Sequence, residues 1–323
     1  MTDDTREPYV PPTSETSPMP VEEVSPVIPD VETGPSPQVR SSRFNPANEW
    51  FWPVVNLVGI AGVILVNWLA NALPLNDQGT GEVLTKDPVW FQPAGWAFSI
   101  WGLIYTLLVV FAVFGLLPQG RRQPRLRRIS PFVLVANVAN VAWLFCWHWE
   151  YFAASLIVMA ILLLSLVIIQ ILLHSGQDGM RPLSRLERWA MWPVFSIYLG
   201  WISVASLANL MVWWDRSGFS GGPISLRMWS VVALLAGGLA CYVMAVLVRD
   251  GWYPAVFSFA SVAIAVELWD RSRLVSTVAG IMAVIELLLV VMVILTLIDR
   301  KPRMPQFRRQ QPGIPAAELP PAD

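Results

Sequence analysis

The chain has 323 residues, 55% of them hydrophobic and 14% charged, with a formal net charge of −1 and a mean hydropathy of +0.52. Soluble domains carry roughly 25% charged residues, so this composition excludes an ordinary soluble domain and calls for an apolar solvent, namely lipid. The near-zero charge and the absence of a basic stripe with interleaved aromatics exclude a polyanion or nucleic-acid partner.

In chain order, residues Met1 to about Ala47 are rich in Pro, Ser, Thr and Glu. Such a segment cannot bury enough apolar area to offset its chain entropy and is read as a disordered tail. It lacks the basic, apolar and small-residue sequence of a cleavable signal, so the first apolar run is expected to target the chain as well as span the membrane. Continuous apolar runs follow at about Phe51–Leu73, Ala94–Leu117, Pro131–Trp149, Ala153–Leu173, Trp189–Trp213, Trp229–Val248, Tyr253–Leu268 and Val275–Ile298. A span needs roughly 20 residues, and the seventh run is short. Continuous rather than alternating apolar character in lipid predicts helices, not a barrel. The segment after Lys301 is Pro-rich and basic, and is read as a second disordered tail. Eight spans with the N-terminus inside place 17 of the 22 Lys and Arg on the inner side and 5 outside, which favours an even count with both termini cytoplasmic.

Tryptophan is over-represented, with 17 in the chain. Trp50, Trp52, Trp189, Trp192, Trp213, Trp214, Trp229 and Trp252 fall at the ends of runs, where indoles anchor at the headgroup level. Others are placed differently. Around the start of the second run stand Trp90 and Pro93, then Phe98, Trp101 and Tyr105 at i, i+3 and i+7, on one helical face. Pro93 suits a first-turn position. In the third run Asn137, Asn140, Trp143 and Trp147 fall within roughly 120° of one another. The fifth run carries Tyr198, Trp201, Ala205, Ala208 and Asn209 on one stripe. Amides in hydrocarbon are costly unless paired, so these stripes face the bundle interior. They serve either helix–helix packing or a pocket of aromatic walls, small residues and a few polar handles for a flat apolar ligand.

These segments resemble the translocator protein family, also called tryptophan-rich sensory or TspO/MBR proteins. The resemblance rests on Trp90-Phe91-Gln92-Pro93 followed by Trp101-Gly102-Leu103-Ile104-Tyr105, on Asn140-Val141-Ala142-Trp143, and on Tyr198, Trp201, Ala205 and Asn209 in order, over about Phe51 to Trp213. Ala94 stands where the family has a second proline, and the sterol-recognition pattern finds no match near the end of the fifth run. The resemblance implies an all-α integral membrane protein with a five-helix bundle over 48–214. It also implies a homodimer and a pocket under the loop joining the first two spans. Its ligand would be a tetrapyrrole such as a porphyrin or haem, bound for sensing, transport or breakdown. Trp90, Trp101, Asn140, Trp143, Trp201 and Ala205 would then line the pocket, with Leu75–Lys86 as its lid. Three further helices over 215–299 form a C-terminal membrane extension.

Within that extension Glu286 lies about eleven residues into the last run, near the bilayer centre, where a charge is expensive. It is read either as a carboxyl bonded to a neighbouring helix or as a proton relay, which would make the chain a proton-coupled carrier. His148 and Glu150, at the end of the third run, and Glu267 near Asp270 are read as interfacial. Cys146 and Cys241 are read as small apolar residues, and with only 2 histidines, His148 and His174, no metal cluster is expected. The sequence offers no nucleophile–base pair and no phosphate loop, so an enzyme that degrades porphyrin through a pocket tryptophan stays an alternative to a binding protein without catalysis. No resident cofactor is expected.

Overall fold

The computed structural model describes residues 47–73, 76, 78–85, 89–174 and 183–298. Both tails, lid positions 75, 77 and 86, and positions 74, 87, 88 and 175–182 lie outside the described residues. Each apolar run becomes a helix because, away from water, an α-helix is the local structure that satisfies every backbone group within its own segment. The helices are α1 (Ala47–Ala72), a one-turn α2 (Glu82–Thr85), α3 (Ile100–Leu116), a one-turn α4 (Pro118–Arg121), α5 (Pro124–His148) and α6 (Phe152–His174). They continue with α7 (Arg185–Arg216), α8 (Leu226–Val243), which runs on as a π-turn over Met244–Val248, α9 (Trp252–Glu267) and α10 (Arg273–Ile298).

Seven of these helices are long and apolar enough to cross a membrane. The eighth, α9, has 16 residues and rises only about 24 Å against a hydrocarbon core of about 30 Å. Ends are set by local chemistry. Ser184 caps α7, accepting from the Glu187 amide at 3.2 Å while Glu187 accepts from the Ser184 amide at 2.7 Å, a reciprocal capping box. Pro124 opens α5 in its first turn, where the missing N–H costs nothing.

The second span begins differently from the sequence expectation. Pro93 precedes the helix rather than occupying its first turn, Ala94 is extended, and Gly95–Ser99 form a 3₁₀ segment before α3. With about three residues per turn, the 3₁₀ segment shifts Phe98 relative to Tyr105. The i, i+3, i+7 face does not survive intact.

Five helices close a ring. α1 packs on α3 and α5, α5 on α6, α6 on α7, and α7 on α3. The remaining three, α8, α9 and α10, pack on one another, and α9 and α8 lie against α7. Close approach explains where. A Cβ on Gly200 of α7 would stand 3.0 Å from Val256 Cβ and 3.3 Å from the Tyr253 carbonyl of α9. Small residues of this kind let helix backbones meet in lipid. Hydroxyls sew α9 to α10: Ser258 donates to the Ala283 carbonyl at 2.8 Å and Ser276 to the Ala265 carbonyl at 2.6 Å. As the shared wall of ring and extension, α7 is the most buried span.

Candidate ligand pocket

Inside the ring, near the end where α5 finishes and α6 begins, Leu84, Pro93, Phe98, Trp101, Trp143, Trp147, Trp201, Ala205, Ala208 and Asn209 surround a void of about 30 Å³. That is room for one or two waters. The walls are aromatic, and no charged side chain is among the described residues that line them. Phe98 meets Trp201 edge-on at 5.8 Å, and Trp143 stacks on Trp147 at 5.5 Å. Asn209 is the one amide among the described lining residues, and both of its polar atoms are bonded. Its Oδ1 accepts from Trp143 Nε1 at 3.0 Å and from Ser155 Oγ at 3.1 Å, and its Nδ2 reaches the same Ser155 oxygen at 3.1 Å.

Of the residues expected at the site, Pro93, Phe98, Trp101, Trp143, Trp147, Trp201, Ala205 and Asn209 face this void. Five stand elsewhere. Asn140 donates to Tyr198 Oη at 3.0 Å and accepts from Asn67 Nδ2 at 2.9 Å, so α1, α5 and α7 are bound into a polar knot away from the void. Tyr198 also takes the edge of Trp101 at 5.9 Å. Asn137 lies over Gly59 of α1, where an added Cβ would come within 2.8 Å of its Nδ2. Tyr105 stacks on the outer side of Trp101 at 5.4 Å. Trp90 lies under the Arg271 guanidinium, 5.0 Å from its carbon to the ring centroid.

The lid is held from α5. Trp147 Nε1 donates to the Thr80 carbonyl at 3.0 Å, and Thr80 Oγ1 meets His148 Nε2 at 2.9 Å. Asn76 Nδ2 and Gln78 Nε2 both donate to the His148 carbonyl, at 2.9 and 2.8 Å. His148 is fully buried. Its expected interfacial position is therefore corrected: the loop folds over it and takes it out of solvent. Thr80, Asn67 and Ser155 were missed. The signal for Asn67 was present, an amide inside an apolar span; Thr80 and Ser155 have none.

Glu286 is 1% exposed and accepts from Ser261 Oγ of α9 at 2.9 Å. It is bonded to a neighbouring helix and lies outside the lining of the void.

A closed ring of apolar helices around an aromatic-walled space, braced by further spans, defines a polytopic helical membrane protein. The sequence pattern of the TSPO-like protein family matches residues 53–293, and the chain belongs to that family. The match runs from α1 into α10, beyond the stretch of resemblance read at about Phe51 to Trp213. No curated protein matches, and no solved structure matches.

Proposed function

We propose that the protein binds a flat hydrophobic ligand of the tetrapyrrole class, a porphyrin or haem, in the aromatic ring site, for sensing or transport. The observation that carries this reading is the convergence of Phe98, Trp101, Trp143, Trp147 and Trp201 from four elements, the 3₁₀ segment, α3, α5 and α7, on one space with no charged side chain among its described lining residues. Indole faces offer stacking area to a planar π-system. Ligand sites of this size class hold about 300–1,000 Å³. The closed void is far smaller, so ligand admission needs the lid to lift and the Trp143–Trp147 stack to part. The sites of motion are those with few anchors: the lid is tied by the bonds of Asn76, Gln78 and Thr80 to the end of α5.

On this reading the five-helix ring over 48–214 is the receptor unit and the helices over 215–299 brace it. The distribution of Arg and Lys supports cytoplasmic termini, and helical spans favour a bacterial plasma membrane over an outer one. Titration of the purified protein with protoporphyrin IX, followed by tryptophan quenching, tests the reading. Quenching is expected to saturate in the wild type and to weaken at least tenfold in a Trp143→Ala, Trp201→Ala double variant. Unchanged quenching in that variant removes the site.

A further inference from the structure

A second space lies on the other side of α7. A cleft of about 610 Å³ is walled by Val167, Ile171 and His174 of α6, Leu239, Ala240 and Val243 of α8, and Val248 of the π-turn, with Leu199, Ser203 and Tyr253 as its floor. It opens sideways, because Ile171, Leu239 and Val243 at its rim are exposed on the outer surface of an apolar helix bundle. Anything reaching it from that side comes through the bilayer. Among the described residues no Asp, Glu, Lys or Arg lines it, which suits an uncharged occupant.

One feature marks the cleft as more than a gap between helices. Gln170, which lines it, is 5% exposed, and neither its Nε2 nor its Oε1 has a hydrogen-bond partner. An amide in hydrocarbon without partners is costly. The neighbouring hydroxyl is satisfied: Ser203 Oγ donates to the Leu199 carbonyl at 2.8 Å. Gln170 thus holds unanswered donors and an acceptor beside an apolar space large enough for a ligand; both amide atoms are covered, so a head group meets them once the Gln170 side chain turns toward the cleft. It sits one turn before the end of α6, about 6 Å along the axis from His174, at the depth where the polar part of a lipid meets its apolar part.

We propose that this cleft takes a neutral, hydroxyl-bearing lipid of the acylglycerol kind from the bilayer, its head paired with Gln170 and its chain against Val167, Leu239 and Val243. A hydroxyl accepts from Nε2 and donates to Oε1, so one head group answers both halves of the amide. A head with acceptors alone leaves Oε1 unmet, and a charged phosphate head finds no Lys or Arg among the described lining residues. The site is separate from the aromatic void, since Leu199 and Ser203 lie on the face of α7 opposite Trp201 and Ala205.

The test uses the full chain in detergent, probed by native mass spectrometry with monooleoylglycerol, 1-octadecene and phosphatidylglycerol. Wild type is expected to retain one monooleoylglycerol in preference to the other two. Gln170→Leu, which removes the unpartnered amide at similar volume, is expected to fold at least as stably and to lose retention by about tenfold, the effect of one bond lost beside an unpaired group. Ala240→Trp, which fills the cleft, is expected to abolish it. Equal retention by Gln170→Leu, equal retention of octadecene, or a preference for phosphatidylglycerol overturns the proposal. Protoporphyrin quenching measured on Gln170→Leu is expected to match wild type, which separates a failure here from a failure of the ring site.

Discussion

Arg271, in the loop between α9 and α10, lies over the ring of Trp90 with its guanidinium carbon 5.0 Å from the centroid, and its Nη1 reaches the Val89 carbonyl at 3.5 Å. The residue that the sequence pointed to as pocket lining is instead the handle by which the extension grips the segment closing the ring. A second contact acts alongside: the Ala94 amide donates to the Ala263 carbonyl of α9 at 3.2 Å, while Trp96 meets Phe259 edge-on at 5.2 Å.

Arg271→Met should loosen that segment without unfolding the chain. A cation–π contact at an accessible site contributes about 0.5–1 kcal/mol. Amide exchange from Val89 to Gln92 should therefore rise about two- to fivefold, read by hydrogen–deuterium exchange, with exchange in α6 unchanged. Equal exchange in variant and wild type removes the gripping role.

Asn209→Leu strands the Trp143 indole N–H in an apolar site, at about 1–3 kcal/mol. The double variant Asn209→Leu, Trp143→Phe removes both partners and should recover part of that loss. Unfolding midpoints in a denaturing detergent titration provide the cycle. Strict additivity means that the indole–amide bond carries no coupling.

Trp147→Phe keeps an aromatic ring in the wall but deletes the bond to the Thr80 carbonyl. One such bond contributes about 0.5–1.5 kcal/mol, so the lid should open about two- to tenfold more often. Exchange over residues 78–85 should rise, and stopped-flow protoporphyrin quenching should speed up by a similar factor. Faster exchange with an unchanged association rate shows that the lid does not gate the void.

Gly200→Ala places a methyl 3.0 Å from Val256 Cβ. Overpacking of this kind costs about 1–3 kcal/mol and should loosen α9 from α7. Cross-linking between cysteines placed at exposed positions of those two helices reports it, and unchanged efficiency with unchanged stability contradicts the close approach.

Glu286→Gln keeps an acceptor for Ser261 and cannot ionise, so stability should stay near wild type. Glu286→Leu leaves the Ser261 hydroxyl without this partner and should cost about 1–3 kcal/mol. Thermal unfolding separates the two, and a Glu286→Gln variant as unstable as Glu286→Leu shows that ionisation, not the hydrogen bond, holds α9 to α10.

The spans were readable because lipid forces one answer on a long apolar run; even the weak seventh run proved to be a helix, α9. The stripes were partly readable. Trp143, Trp147, Trp201 and Ala205 face the void as their spacing suggests, because a helix fixes which residues share a face. It does not fix which neighbour that face meets. Asn137 and Asn140 belong to the same stripe yet turn toward α1, where Gly59 and Asn67 receive them. His148 looked interfacial because its position at a helix end carries no sign of a loop returning over it. The size of the void was not legible at all, since it depends on the rotamers of indoles from separate helices.

One helix, α7, turns its Trp201 edge to the ring and its Ser203 edge to the lateral cleft, two positions apart along the chain. It works as a party wall. Any sideways shift of α7 that gives room to one chamber takes it from the other, so displacement of that partition cannot enlarge both compartments at once.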